Sequence, residues 1–467
     1  MKPETIIKNM SKKIAILALL MIFILSSGFG CKTTDKKTKE GLKPITLTYW
    51  RVFDDSDAFN EIIIKYKTLH PNVTINYKKL RLEEYESELI NALAEDRGPD
   101  IFSIHNTWIK KYQSKLTPMP ETITLVYPVT TGTIKKEVVY QSKITKSITN
   151  KEIKDNFVDV VGRDVILSDG KVYGLPLSVD TLAMYYNRDL LNNAGISKIP
   201  SYWNREFLED VSKLTKQGEK NALIQSGAAL GGSSNINRYS DILAAIMMQS
   251  GATIIDDSGK VLFNTSAGYG SANYSPATDA LRFYVDFADP TKESYSWNNS
   301  LPNSLDMFIS GNLGIMFAYS YDLATIKAQA PKLNFSIANF PQIEGNPPTN
   351  INLANYWVES VSKKSPNADV AWDFVQFITK EEQAKIYLEK TNRPTALRSL
   401  IETQKNDEEI GIFASQVLTA KSWYQGKNVK AAEDAIAEMI NNALIVPSDK
   451  LQKVLNTAAT KIQQTIY

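Results

Sequence analysis

Cysteine and histidine are nearly absent from the 467-residue chain, which has one cysteine, Cys31, and two histidines, His70 and His105. CxxC and HExxH motifs are lacking, so no zinc or other metal site is expected. GxSxG and Walker A motifs are lacking as well, and no cofactor is expected. A large excess of charge of one sign is also lacking. The net charge is +2, and four Lys and one Glu in residues 1–30 leave the remainder at about −1. This balance argues against a nucleic-acid partner.

The beginning of the chain has the three parts of an export signal. Lysines precede an apolar run of 12 residues at positions 14–25, and the small residues Ser26, Ser27, Gly28 and Gly30 follow it. The run is shorter than the roughly 20 residues that a membrane-spanning helix needs. We therefore interpret residues 1–30 as a secretory signal peptide.

Cys31 stands directly after this signal, where a bacterial lipobox has the cysteine that receives lipid. Gly28 occupies the position that is usually leucine in a lipobox, and the alternative is an ordinary signal peptide with an incidental cysteine. An odd cysteine in an exported protein needs an explanation, and lipidation supplies one. The Lys-rich residues 31–44 are too polar to form a core and predict a flexible tether to the outer face of a membrane.

The next segment predicts alternating strands and helices. We expect a strand at 45–50, a helix at 57–69, a second strand within 70–80, a helix at 83–95 and a strand that ends near His105. This order predicts a parallel sheet covered by helices, with a ligand crevice at the carboxyl ends of the strands. Residues 121–156 fit this pattern less well and are interpreted as an insertion or hairpin.

The rest of the chain continues to mix both element types. Helices are predicted at 188–195, 204–216, 239–250, 276–289 and 303–310, with a pair within 365–390. Strands are predicted at 311–319, 335–341 and 355–362. Trp297 is expected to be exposed.

Five blocks then match one family pattern in order, at residues 48–77, 98–102, 170–196, 306–326 and 362–397. With them the chain resembles the family 1 extracellular solute-binding proteins, over about residues 45–460. The resemblance implies an α/β, two-lobe, type II periplasmic-binding-protein fold like that of maltose-binding protein, with crossing strands at a hinge and a ligand cleft. It implies lobe 1 at 45–179 plus 356–400, and lobe 2 at 180–350 plus 405–467.

The resemblance also implies a function. Such a protein is a receptor that performs no chemistry, captures a carbohydrate such as an oligosaccharide, and delivers it to the permease of an ABC importer. A lipid-anchored monomer on the periplasmic or extracellular side of the membrane is expected. Ligands of this class are held by aromatic faces and by polar groups that bind hydroxyls.

Candidate ligand-binding residues lie where the family places its contacts, at strand ends and near the lobe crossings. They are Trp50, Arg51, Asp54, Asp55, Asn106, Trp108, Asp180, Asn235, Arg238, Tyr319, Tyr321, Asp322, Trp357 and Arg393. Several of them have a structural alternative. The aromatic residues are alternatively core, Asp54 and Asp55 alternatively cap a helix, and Asp180 is alternatively a hinge carboxylate bonded to backbone.

Three other functions stay open from the residues alone. The four aspartates among the candidates permit a polyamine ligand, and relatives of this fold also bind peptides. A secreted glycoside hydrolase also needs a cleft, aromatic residues and a carboxylate pair. A surface lipoprotein that serves adhesion or signalling is the third.

Overall fold

The structure is a computed structural model that describes residues 38, 41–133, 136–219, 222–265, 275–345 and 350–467. The predicted signal peptide and most of the predicted tether lie outside the described residues. The chain divides into two compact units. Among the described residues, one holds 38 and 41–44 together with Leu125–Lys143, and the other holds Ile45–Thr124 and Ile144–Tyr467.

Strands and helices alternate along the chain, as the sequence predicts. The strands are β1 Ile45–Val52, β2 Val73–Leu80, β3 Ile101–His105, β4 Thr122–Thr131, β5 Glu137–Lys146, β6 Leu175–Pro176, β7 Asp180–Thr181, β8 Ala183–Asn187, β9 Lys216–Gln217, β10 Leu223–Ala228, β11 Leu313–Ala318, β12 Phe335–Asn339, β13 Asn352–Asn355, β14 Trp357–Val361 and β15 Ala420–Lys421.

The helices are α1 Asp57–Leu69, α2 Leu82–Ala94, α3 Ile109–Tyr112, α4 Asn150–Asn156, α5 Asp159–Val165, α6 Arg188–Asn193, α7 Arg205–Leu214, α8 Tyr239–Gln249, α9 Pro276–Asp286, α10 Ser304–Ile309, α11 Asp322–Gln329, α12 Ala368–Ile378, α13 Glu381–Thr391, α14 Arg398–Gln404, α15 Gly411–Gln416, α16 Val429–Ala443 and α17 Leu451–Gln463. Within the described part of the chain, none of them combines the length and the apolar character that crossing a membrane requires.

The first sheet has the strand order β2-β1-β3-β14-β6. β1 pairs in parallel with β2 and β3, so the predicted β-α-β-α-β unit is confirmed. Alternation along β1 buries Leu47, Tyr49 and Arg51 on one face. Because successive side chains of a strand point to opposite faces, Trp50 lies on the other face. The carboxyl ends of β1 and β3 open at the same edge of the sheet.

The second sheet has the order β12-β8-β11-β10-β9. Its strands and the surrounding helices enclose a large apolar core that includes Trp297. The prediction that Trp297 is exposed is wrong, because its ring is fully buried and its Nε1 donates to Asn235 Oδ1 at 2.8 Å. A buried indole N–H needs such an acceptor.

A third sheet, called the linking sheet here, has the order β15-β13-β7. β13 pairs in parallel with β15 and antiparallel with β7. In the chain, β7 follows a strand of the first sheet and precedes a strand of the second, and β13 directly precedes β14 of the first sheet. The chain therefore passes between the two large sheets through the linking sheet.

The segment 121–156 forms the hairpin of β4 and β5, followed by α4. On β5, Val138 and Tyr140 are exposed. Helix α4 begins with a capping box, in which Thr149 and Glu152 each accept from the backbone N–H of the other. The hairpin alternative of the sequence interpretation is therefore the correct one for residues 122–146.

Candidate functional site

A cavity of about 380 Å³ lies beyond the carboxyl ends of β1 and β3. This volume falls within the range of small-molecule sites. Residues after both strands line it, and so do residues around β7, after β11, around β13 and on α8 and α16. The cavity is therefore bordered by elements of both large sheets and of the linking sheet.

A buried ion-pair network forms one wall. Asp54 forms an ion pair with Arg51 at 3.1 Å, and it accepts from Arg393 Nη2 at 3.1 Å and from Tyr387 Oη at 2.9 Å. Arg51 also lies 3.5 Å from Glu359. Although burial opposes its charge, Glu359 and the other partners hold the pKa of Arg51 well above its usual value. These charges neutralise one another inside the wall.

Aromatic rings follow one another across the cavity. The ring centroids of Tyr321 and Phe53 are 6.4 Å apart, those of Phe53 and Trp357 are 5.8 Å apart, and those of Trp357 and Trp108 are 5.4 Å apart. We call these four residues the aromatic track. Phe53 and Tyr321 are parallel within 9°, whereas Trp357 meets its two neighbours edge to face. The track gives the cavity an apolar surface that continues from the second-sheet side to the first.

A second charged cluster that lines the cavity is formed by Arg238 and Asp241. Arg238 Nε donates to Asp241 Oδ2 at 2.7 Å, and Tyr319 Oη donates to the same oxygen at 2.8 Å. Trp423 Nε1 donates to the other carboxylate oxygen at 2.8 Å. Arg238 has a φ of 59°, a left-handed conformation directly before α8. Its charge is thus held against the start of that helix by Asp241.

Two carboxyl groups near the linking sheet have raised pKa values. Burial raises the pKa of Asp180 to about 6, although Ser320 N, Ser320 Oγ and Thr181 N all donate to it. Burial, with the nearby charge of Asp180, raises the pKa of Asp322 to about 7. Asp180 thus accepts from backbone N–H groups, as its structural alternative predicts. It also lines the cavity.

His105 and Asn106 occupy the end of β3. Burial and the nearby Arg238 charge lower the pKa of His105 to about 4, so the ring is neutral near pH 7. Its Nδ1 accepts from the Thr107 backbone at 3.4 Å. The Nδ2 of Asn106 donates to Ser422 Oγ at 2.8 Å. Its buried Oδ1 has no hydrogen-bond donor among the described residues.

Nine of the fourteen candidate residues line the cavity. These are Arg51, Asp54, Asn106, Trp108, Asp180, Arg238, Tyr321, Trp357 and Arg393. Their ligand contacts remain a prediction, and what the structure adds is that one cavity brings them together.

Three candidates lie away from the cavity for local reasons. The Trp50 ring points to the other face of β1, where Lys78 Nζ lies 4.4 Å from its centroid. Asp55 is exposed and pairs with Lys79 at 2.9 Å. Asn235 fastens its own loop, because its amide donates to the carbonyls of residues 298 and 301 and accepts from a buried indole.

The other two candidates stand behind the lining. Tyr319 is fully buried beneath Tyr321, with 5.7 Å between the ring centroids. Asp322 begins α11 next to Tyr321 without lining the cavity. Of the neighbouring positions after β11, Tyr319 therefore lies in the core and Tyr321 lines the cavity.

Several lining residues are not among the sequence candidates, including Phe53, Asp241 and Tyr387. Phe53 follows directly after β1, so its position at a strand end was a usable signal. Asp241 stands three residues after Arg238, a spacing that brings side chains together on a helix. Tyr387 comes from a helix that gives no sign of a site. Within the described ranges, no group of three or more His, Cys, Asp or Glu side chains is arranged to hold a metal ion.

Comparison with known proteins agrees with this architecture. The family model described as bacterial extracellular solute-binding protein matches residues 53–385. A maltooligosaccharide ABC transporter solute-binding lipoprotein of Streptococcus pneumoniae serotype 4 is 27% identical over 315 residues, 65% of this chain and 67% of that protein. A galactooligosaccharide-binding protein of Bacillus subtilis is 21% identical over 397 residues, 84% and 82% of the two chains.

The crystal structure of a cyclic α-maltosyl-1,6-maltose binding protein from Arthrobacter globiformis superposes with a TM-score of 0.67 at 17% identity. The match covers 90% of this chain and 99% of the other. The fold is therefore the two-lobe, type II periplasmic-binding-protein fold, as the sequence analysis predicts. The chain belongs to the bacterial extracellular solute-binding proteins. Membership makes it a solute-binding protein of the cell envelope, with a periplasmic or extracellular location.

Proposed function

We propose that the chain is a lipid-anchored receptor of an ABC importer that captures an oligosaccharide in its cavity, delivers it to a membrane permease and performs no chemistry. Lobe 1 comprises 45–179 plus 356–400 and lobe 2 comprises 180–350 plus 405–467. The lobes close about the linking sheet in a hinge motion. The aromatic track is the observation that carries the carbohydrate assignment.

The charges of the cavity favour a neutral ligand. The lining contains five cationic and five anionic side chains, which are Arg51, Lys111, Arg238, Arg393, Lys430, Asp54, Glu86, Asp180, Asp241 and Glu433. Most already pair within the protein, as in Lys111 with Glu86 at 2.5 Å. A charged ligand would have to break such pairs, and an uncompensated buried charge is costly.

Three buried polar atoms of lining residues suit hydroxyl groups. Asn106 Oδ1 is an acceptor, Arg51 Nε and Arg393 Nε are donors, and none of them has a hydrogen-bond partner within the described residues. An unsatisfied buried polar atom costs about 1–3 kcal/mol. A sugar hydroxyl donates and accepts at once, so one class of ligand suits the acceptor and both donors. The names of relatives that bind maltooligosaccharides and galactooligosaccharides support the same class.

A polyamine is disfavoured by the same geometry. A polyamine needs several available carboxylates, but Asp54 and Asp241 are each engaged by arginine. Asp55 and Asp322 do not line the cavity. The glycoside hydrolase alternative predicts that the purified protein releases reducing sugar from maltotetraose, and a separate reducing-sugar assay tests this prediction.

A thermal-shift screen of residues 32–467 tests the proposal, with maltose, maltotetraose, galactooligosaccharides, spermidine and a short peptide. Ligand at a hundredfold excess over Kd stabilises the folded state by about 2.7 kcal/mol. This should raise the midpoint of unfolding by a few degrees for a sugar only. Trp357→Ala should weaken binding at least about tenfold, because one face of the aromatic track is lost.

Trp50→Ala is the matched control, because Trp50 lies on the first sheet but outside the cavity. This variant should bind as the wild-type chain does. A shift with spermidine or the peptide and none with any sugar contradicts the ligand class, and equal losses in the two tryptophan variants contradict the site.

A further inference from the structure

One buried carboxylate, Asp164 on α5, connects the cavity to the ends of two linking strands. Its side chain is 2% exposed. Tyr356 Oη donates to Asp164 Oδ2 at 2.7 Å, Ser422 Oγ donates to the same oxygen, and Gln425 Nε2 donates to Oδ1 at 2.6 Å. Tyr356 directly follows β13 and Ser422 directly follows β15. The carboxylate therefore holds the ends of two parallel strands of the linking sheet side by side.

The same network reaches the cavity through Asn106, which is 3% exposed. Asn106 Nδ2 donates to Ser422 Oγ at 2.8 Å and lies 3.4 Å from Asp164 Oδ2. Tyr356, Ser422 and Gln425 donate to Asp164 as well, so the Asp164 carboxyl group acts as the acceptor of this network and the Asn106 amide turns its NH₂ group towards it. The amide oxygen is then the atom left for the cavity, and no donor from the described residues reaches it.

We propose that Asp164 is a positioning residue for ligand binding, which fixes the Asn106 amide with Oδ1 towards the cavity and ties it to the ends of β13 and β15. A ligand hydroxyl that donates to Asn106 Oδ1 then strengthens a network that continues into the linking sheet. The role deepens the proposed function and rests on it, since it takes a hydroxyl as the donor of the ligand.

An amide at position 164 would change the hydrogen bonds that orient the Asn106 side chain. If residue 164 is an amide, it offers both a donor and an acceptor, and the Asn106 amide is free to turn over. The cavity would then present an NH₂ group where the wild-type chain presents an oxygen. Asp164→Asn should therefore weaken glycan binding through Asn106, without removing any side chain that lines the cavity.

A double-mutant cycle separates this role from a merely structural one. Maltotetraose is titrated into residues 32–467 as the wild-type chain, Asp164→Asn, Asn106→Leu and the double variant. We expect Asp164→Asn to weaken binding at least fivefold in the wild-type background and less than twofold in the Asn106→Leu background. If the loss of affinity in the double variant equals the product of the two single-variant losses, the proposal is overturned, because Asp164 would then act independently of Asn106.

Asp159→Asn is the matched control on the same helix. Asp159 is exposed, pairs with Arg398 and lies outside the network, so the change should leave affinity within twofold. Urea unfolding of every variant checks that each one folds.

A spin-label distance measurement tests the proposal without ligand, and it therefore applies even if maltotetraose does not bind. Residues 32–467 contain no cysteine, so spin labels at Ser87→Cys on α2 and Asp434→Cys on α16 report the distance across the cavity. Asp164→Asn should broaden and lengthen this distance distribution, and Asp159→Asn should not. An unchanged distribution overturns the proposal. A wild-type chain that binds no sugar overturns the proposed function instead.

Discussion

At the scale of single residues, Phe53 has the least ordinary geometry in the cavity. Its φ is 68°, a left-handed conformation that a bulky side chain adopts only at a cost of roughly 1–2 kcal/mol. Its ring is 39% exposed, yet lies between Tyr321 and Trp357. Strain of this kind persists where the surrounding structure imposes it, often at functional sites. The strained backbone directs the ring into the cavity.

Phe53→Ala and Phe53→Gly should separate strain from binding. Both changes remove a ring of the aromatic track and should weaken glycan affinity about tenfold, a loss of roughly 1.4 kcal/mol. Gly adopts a positive φ without the penalty that Ala carries, so Phe53→Gly should be more stable than Phe53→Ala by about 1 kcal/mol. Isothermal titration calorimetry and urea unfolding measure the two effects. Unchanged affinity in both variants would show that the ring does not contact the ligand.

Residue positions near strand ends were only partly predictable. The sequence places Trp50 and Arg51 together at the end of β1, but the pleat sends them to opposite faces, and composition does not reveal which face meets the ligand. Nine candidates reach the cavity because strand ends converge there. The position of Phe53 directly after β1 was a usable signal, but the left-handed backbone that directs its ring into the cavity has no sequence signature in a non-glycine residue.

At the scale of elements, long periodic segments were predicted well and short ones were not. The helix predicted at 57–69 is α1 Asp57–Leu69, and the one predicted at 239–250 is α8 Tyr239–Gln249. β7 and β15 have two residues each, too few for any periodic pattern. They form only because β13 offers hydrogen-bonding partners, which is a tertiary effect.

The junction of β7 with the start of α11 should make stability depend on pH. Asp180 and Asp322 have pKa values of about 6 and about 7 in the folded chain, against about 3.9 when unfolded. The folded state therefore holds more protons between pH 4 and 7, and the free energy of unfolding falls as pH rises through this window. Asp322→Asn should flatten the fall by at least about 1 kcal/mol between pH 4.5 and 7.5.

Urea unfolding at several pH values measures this effect. Asp55→Asn serves as the control, because Asp55 is an exposed carboxylate paired only with Lys79. Its profile should match that of the wild-type chain. An Asp322→Asn profile as steep as the wild-type one would show that Asp322 titrates normally in the folded chain.

At the scale of the whole molecule, the order of the blocks predicted the fold because five spaced segments constrain a topology more than any single motif does. The hairpin of β4 and β5 has no counterpart in those blocks, and the sequence left it between an insertion and a hairpin. β4 buries Ile123, Leu125 and Val126, but β5 is exposed along most of its length, and the sequence of such a strand specifies its pairing register only weakly.

The lipid anchor belongs to the whole molecule as well. The full chain expressed in a bacterium should partition into the detergent phase of Triton X-114, because each buried acyl CH₂ contributes about 0.8 kcal/mol. Cys31→Ser removes the only thiol, so this variant should move to the aqueous phase. A wild-type chain found in the aqueous phase would establish the alternative, an ordinary signal peptide with an incidental cysteine.

The contact between Phe53 and Tyr321 has a consequence for the timing of binding. The two rings lie parallel with 6.4 Å between their centroids, so each shields part of the other from water. A sugar that enters between them must first separate this pair. Capture is then an exchange of partners, in which each ring gives up its contact with the other for a contact with the sugar. Such competition lowers the affinity and shortens the residence time of the sugar, which suits a carrier that must let go.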